Sequence, residues 1–162
     1  MRQLQETPVT DTADNATAAT TDPVQQVLDA YKAAVFAKDV DAFVALYTDD
    51  VRVFDMWGEW QVDGLAAWRA MATDWFGSLG DERVLVDFSD LRTTVDGGLA
   101  VGHVLVAYAA IDLEGGVLRS LTSRFSVALR REVGGWKIFH EHSSAPIDPA
   151  STKAMLKREG NG

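Results

Sequence analysis

The chain has 162 residues, 47% of them apolar, with 24 acidic against 15 basic side chains and a net charge of -9. That is the size and composition of one globular domain with a real core. The surplus negative charge repels phosphate backbones and anionic lipid surfaces, and no apolar run approaches membrane-spanning length, so neither nucleic acid nor membrane is expected as a partner. Cysteine is absent, which excludes disulfide scaffolds, zinc-thiolate sites and cysteine nucleophiles.

Residues 1–21 hold Arg2 but no apolar h-region. They read as a flexible tail rather than a signal peptide, and the cytoplasm is the simplest location. The first structural signal is Asp22-Pro23-Val24-Gln25, where Asp caps a helix, Pro suits its first position and Gln closes a capping box. Val24, Val27, Leu28, Tyr31 and Val35 follow at helical spacing. Asp39 offers a second cap before Phe43, Leu46 and Tyr47, so two helices in a hairpin are expected. Val51 to Phe54 alternates like a strand, and the Gly-containing aromatic stretch from Asp55 to Gly64 turns the chain into a third helix bearing Leu65, Trp68, Ala72, Trp75 and Phe76. From Arg83 the period changes to two. Three turn clusters, Asp96-Gly97-Gly98, Glu114-Gly115-Gly116 and Gly134-Gly135, then divide the chain into four long hairpin-linked strands. Residues 149–162 are charged and Gly-terminated, and are expected to be a tail or a frayed helix.

Helices first and a strand meander after predict an α+β fold, with three N-terminal helices packed on a strongly curved, mainly antiparallel sheet. Three short helices do not seal one face of such a twisted sheet, so a conical pocket is expected. Strand parity then decides which side chains enter it. Trp136, Ile138, His140, His142 and Ser144 form one row, which the apolar members mark as inward, leaving Glu141 on the opposite face. Ser120, Thr122, Arg124, Ser126 and Ala128 form a row too polar for ordinary core, facing either the cavity or a subunit contact. His103 and Tyr108 lie on opposite faces, and either row can be the interior one.

The run from Val24 to Asp55 resembles, without gaps, the opening of ketosteroid isomerases. The matching features are a helix with Tyr31, then Asp39-Val40-Asp41, then Ala45-Leu46-Tyr47-Thr48-Asp49-Asp50 leading to a strand that ends in Asp55. The later half resembles the SnoaL-like branch of the nuclear transport factor 2-like superfamily, in Ser123-Arg124-Phe125, Gly135-Trp136-Lys137-Ile138 and His140-Glu141-His142-Ser143-Ser144 with Pro146. The resemblance covers residues 22–148 and implies a cystatin-like α+β barrel, a homodimer through the outer sheet face, and no cofactor. It also implies that Asp55 stands at the position of a general base and Tyr31 at that of an oxyanion donor. The second oxyanion donor of ketosteroid isomerases, a protonated Asp on a late strand, has no match, since Arg124, Ser126 or Ala128 takes its place.

An ordinary carboxylate is a weak base toward C–H, so Asp55 needs a donor that stabilises the enolate oxygen while the proton leaves. Tyr31 is that donor, and His142 completes the candidate catalytic set as a donor or proton shuttle. Arg124, Trp57, His140, Tyr108 and Ser126 are the candidate ligand contacts. In the plainer reading Tyr31 is a core residue with a satisfied hydroxyl, Asp55 caps a turn, and Arg124 and His142 make ordinary polar contacts. His140 and His142 mimic a metal pair, but no third ligand stands at a telling spacing and no metal is expected. The function expected is cofactor-independent isomerisation or cyclisation of a small hydrophobic or carbonyl-containing ligand by proton abstraction. The alternatives are a non-catalytic binding or assembly module and an epoxide hydrolase, which would need an Asp-Arg-Asp set where Arg124 and Asp55 alone are on offer.

Overall fold

The computed structural model describes residues 22–158. The tail expected over residues 1–21 lies outside the described residues. Helix α1 spans Pro23–Ala37, with Asp22 as its N-cap accepting from the Val24 and Gln25 N–H groups at 2.8 and 3.4 Å. The expected capping box does not form, because the Gln25 amide turns instead to Asp29 at 2.9 Å. Val24, Leu28 and Val35 are fully buried, each worth about 1.5–3 kcal/mol of apolar transfer. Asp39 caps the short helix α2, Val40–Val44, through the Ala42 N–H at 2.9 Å.

Contrary to expectation, α2 does not continue to Tyr47. The chain turns at Ala45, and Tyr47 opens strand β1, Tyr47–Phe54. Sheet pairing overrides helix propensity here: the Ile138 N–H donates to the Leu46 carbonyl at 2.8 Å, and Tyr47 lies in register with Ile138. A two-residue strand, β2 (Val62–Asp63), pairs antiparallel with β1. It has no counterpart in the sequence expectations. Gly64 then adopts φ 84° immediately before helix α3, Leu65–Ser78, a backbone conformation that glycine takes without strain. Trp68, Ala72 and Phe76 form the buried stripe of α3.

The four long strands are β3 (Arg83–Asp96), β4 (Leu99–Ile111), β5 (Val117–Glu132) and β6 (Gly135–Ser144), turning at the three glycine clusters. The sheet order is β2-β1-β6-β5-β4-β3. Every neighbouring pair is antiparallel except β1 with β6, which is parallel. This is the α+β architecture of helices packed on a mainly antiparallel sheet. No helix of the described residues is long and apolar enough to cross a membrane.

A β-bulge decides what faces inward on β6. Leu129 pairs with Ile138 but Ala128 pairs with His140, leaving Phe139 as the extra residue. An extra residue reverses the parity of everything beyond it. Ile138 is therefore buried with Trp136 packed on the same core, while from residue 140 onward the inward positions belong to Glu141 and Ser143. On β5 the inward row is Ser123, Phe125, Val127 and Leu129, and on β4 it contains Val104, Val106 and Tyr108.

Helix α1 crosses β4 closely at Gly102, where an added β-carbon would collide with Val24 Cγ1. Gly102→Val is expected to destabilise the fold by about 1–3 kcal/mol, the usual cost of overpacking, read as a lower denaturant midpoint with an unchanged slope. Past β6 the chain forms neither a free tail nor a helix over its described part. Ile147 bridges Ala154, and the Thr122 N–H donates to the Leu156 carbonyl at 2.8 Å, so this segment occupies the edge of β5 that β6 leaves open.

Candidate functional site

Between α1, α3 and the inward face of β4–β6 lies a cavity of about 900 Å³, of the size that holds a drug-sized ligand. Tyr31 enters it from α1. Its ring is fixed by Phe43 and Phe125, at centroid distances of 5.2 and 5.7 Å, and its hydroxyl meets that of Tyr108 at 3.0 Å. Burial above all, and the neighbouring phenol next, raise the pKa of Tyr31 well above the ordinary tyrosine range, and burial likewise raises Tyr108. Both therefore stay protonated through neutral pH. A phenol pair shares one proton internally and leaves one O–H to offer a ligand.

Asp55 follows the last residue of β1 and lines the same cavity. The Ser143 hydroxyl donates to its Oδ1 at 2.7 Å and accepts from the Met56 N–H at 2.8 Å. One serine thus fixes both the carboxylate and the backbone beyond it. Two residues earlier on β6, Glu141 is 3% exposed and accepts from the Tyr47 hydroxyl at 2.6 Å. Burial drives its pKa up to about 8, with the Tyr47 hydrogen bond opposing and the charge of Asp55 adding. At neutral pH Glu141 is mainly a carboxylic acid. Two groups on the cavity wall lack partners: the Ser123 Oγ and the Trp68 Nε1, on residues each 3% exposed. The indole N–H stands near the Tyr47 oxygen and partly offsets the burial that raises that phenol's pKa, without reaching hydrogen-bond geometry.

Of the residues singled out from sequence, Tyr31, Asp55, Trp57 and Tyr108 line this cavity. The others do not. Arg124 is exposed and Ser126 half-buried, both outside the inward row of β5, which resolves their row as an outer one. His140 lies past the bulge, and its Nδ1 is 2.8 Å from the Arg52 carbonyl oxygen, an ordinary structural contact. His142 is exposed and borders an adjoining, more open hollow of about 590 Å³ with Phe54 and Trp60, which shares Asp55, Met56, Gly58, Glu59 and Gln61 with the main cavity. The inward assignment of His140 and His142 is therefore corrected, and so is the outward one of Glu141. Strict alternation from Ile138 failed at the bulge, which sits at Phe139 without a glycine to announce it. Unbroken alternation hides Glu141 and Ser143, while Ser123 and Tyr47 carry no local signal that sets them apart from ordinary strand or helix residues.

A cavity walled by aromatic residues and floored by convergent hydroxyl and carboxyl groups, between helices and a mainly antiparallel sheet, belongs to an α+β domain of the nuclear transport factor 2-like type. The SnoaL-like domain family model matches residues 24–148, and the chain belongs to that family. Among solved structures, it is similar to an NTF2-like protein of unknown function from Pseudomonas putida, at 26% identity, with 85% of this chain and 94% of that one covered and a TM-score of 0.73. An NTF2-like protein with a cystatin-like fold from Novosphingobium aromaticivorans aligns at 18% identity over 80% and 84% of the two chains, with a TM-score of 0.66. Aln2 from a Streptomyces species aligns at 16% identity over 75% and 86%, with a TM-score of 0.65. No curated protein matches the chain.

Proposed function

We propose that the cavity is the active site of a cofactor-independent isomerase or cyclase that moves a proton next to a carbonyl group. Asp55, oriented by Ser143, removes the proton. The Tyr31–Tyr108 pair donates to the developing enolate oxygen. Glu141, neutral at the working pH, returns a proton at a second position, and exchange with solvent then removes the proton from Asp55 and restores that of Glu141. The carrying observation is one cavity that holds a carboxyl group pinned by a hydroxyl donor and a second carboxyl pushed up to about 8 by burial. A carboxyl group that burial keeps protonated can serve as a proton donor at neutral pH. Membership of the SnoaL-like family supports a small-molecule site and leaves the reaction to the residues.

The test is the exchange of α-protons of a flat bicyclic ketone, 2-tetralone, with D2O, followed by NMR. Tyr31→Phe is expected to slow the catalysed exchange by about tenfold to a hundredfold, less than the loss of a sole oxyanion donor because Tyr108 remains. Exchange as fast in the variant as in the parent would remove Tyr31 from the mechanism. The epoxide hydrolase alternative has no support, since Arg124 stands away from Asp55 on the outer face.

That outer face also suits a second copy of the chain. Val101 is 49% exposed and Leu85 45% exposed on strands whose inward neighbours are buried. We propose a homodimer through this face, and sedimentation equilibrium is expected to return twice the chain mass. A monomer at micromolar concentration would contradict it.

A further inference from the structure

The cavity is one-sided in charge. The described residues lining it include Asp55, Glu59, Asp63, Asp74 and Glu141, and no Lys, Arg or His. Asp63 is held by Arg52 and Gln61, each at 2.8 Å. Glu141 is held by Tyr47. Glu59 and Asp74 are exposed and enter none of the ion pairs among the described residues. Both therefore add unneutralised negative charge at the cavity's rim. The walls carry the aromatic side chains of Tyr31, Trp57, Trp68, Trp75, Tyr108 and Phe125. Ring faces attract cations, and carboxylates beside them reinforce that attraction. An anion entering the same space meets like charge and no basic side chain on the lining, the nearest imidazole, His142, standing in the adjoining hollow. The net charge of -9 adds a field of the same sign.

A second observation indicates that the cavity has an occupant. The Ser123 Oγ is buried on the cavity wall with no protein partner, and a buried polar group left unpaired costs about 1–3 kcal/mol. A ligand oxygen there would remove that cost. It is also the place for the carbonyl end of a molecule whose charged end faces the rim.

We propose that the cavity binds a flat aromatic or polycyclic amine in its protonated form, and discriminates against carboxylates of the same shape. This rests on the proposed function only in taking the same cavity as the site, and it narrows the carbonyl compound to one that carries an ammonium group. The test is tryptophan-fluorescence titration of the full chain with three three-ring probes: 9-aminoacridine as cation, 9-anthracenemethanol as neutral analogue and anthracene-9-carboxylate as anion. The cation is expected to bind at least about tenfold tighter than the anion at low salt, with the gap narrowing as salt rises. Glu59→Gln combined with Asp74→Asn is expected to weaken the cation about threefold to tenfold and leave the alcohol unchanged. Ala67→Trp, which fills the cavity's lining, is expected to abolish binding of all three probes. An anion bound as tightly as the cation would overturn the proposal. So would cation binding that survives Ala67→Trp, since that is adsorption on an acidic surface. The reaction and the ligand class fail separately: lost charge preference with Asp55-dependent exchange removes only the ligand class, and retained preference with Asp55-independent exchange removes only the reaction.

Discussion

Asp55→Asn is expected to lower the catalysed α-proton exchange of 2-tetralone by about a hundredfold to ten-thousandfold, the range that positioned general bases contribute. The substitution isolates basicity from structure. An asparagine Oδ1 accepts the Ser143 hydroxyl as the carboxylate does at 2.7 Å, and Ser143 keeps its 2.8 Å bond from the Met56 N–H. Asp55 is only half-buried and sits in a loop at the end of β1, so no core contact is lost and the melting temperature should stay within a degree or two. A large rate loss at constant stability is the signature of a group that acts on the substrate. Undiminished exchange in the variant would leave the cavity as a binding site without the proposed chemistry.

The second large effect concerns the pH dependence of stability. Glu141 is raised from an ordinary carboxyl value to about 8 in the folded protein, burial being the main cause. In the unfolded chain it titrates near 4.3, so between these limits the folded state binds the proton that the unfolded state has already released. Stability from this group is thus complete below about pH 4 and is lost as pH rises through about 8. The loss is on the order of a few kcal/mol, since each tenfold difference in proton affinity between the two states is worth about 1.4 kcal/mol. Glu141→Gln should flatten the stability profile across this window, because a neutral amide keeps an acceptor for the Tyr47 hydroxyl and has nothing to ionise. Urea midpoints measured from pH 5 to pH 8.5 give the comparison. Equal slopes for parent and variant would mean that the folded protein ionises Glu141 as easily as the unfolded chain does. Should the variant fold poorly, Tyr47→Phe provides the same reading with opposite emphasis: it removes the bond that opposes the upward displacement, and the proton should leave at still higher pH.

Most of the fold was legible because its punctuation is local. Asp22 and Asp39 announce helix starts through side-chain oxygens that reach the first free N–H groups, and paired glycines mark the three long hairpins. A gap-free resemblance points to Tyr31 and Asp55, and both line the cavity. The errors share one cause, which is that pairing between distant segments overruled a local pattern. Tyr47 continues the apolar spacing of α2 but belongs to β1, because Ile138, far along the chain, supplies its partner. Alternation carried straight through Phe139 puts Glu141 outside, but pairing with Leu129 and Ala128 inserts one extra residue there. That single residue puts His140, His142 and Glu141 on faces opposite to those expected, and takes two of the eight candidate residues, His140 and His142, out of the cavity. The C-terminal segment looked like a tail because the edge of β5 that receives Leu156 is not visible from its own composition.

The central claim is that one cavity holds Asp55 as a base together with a Glu141 that is still a carboxylic acid at neutral pH. An NMR titration of the protein labelled with 13C at glutamate carboxyl carbons, with Glu141→Gln used to assign the signal, measures this directly. The Glu141 resonance is expected to move with a midpoint near pH 8. A midpoint near 4.3, the value of an unperturbed glutamate side chain, would contradict that claim.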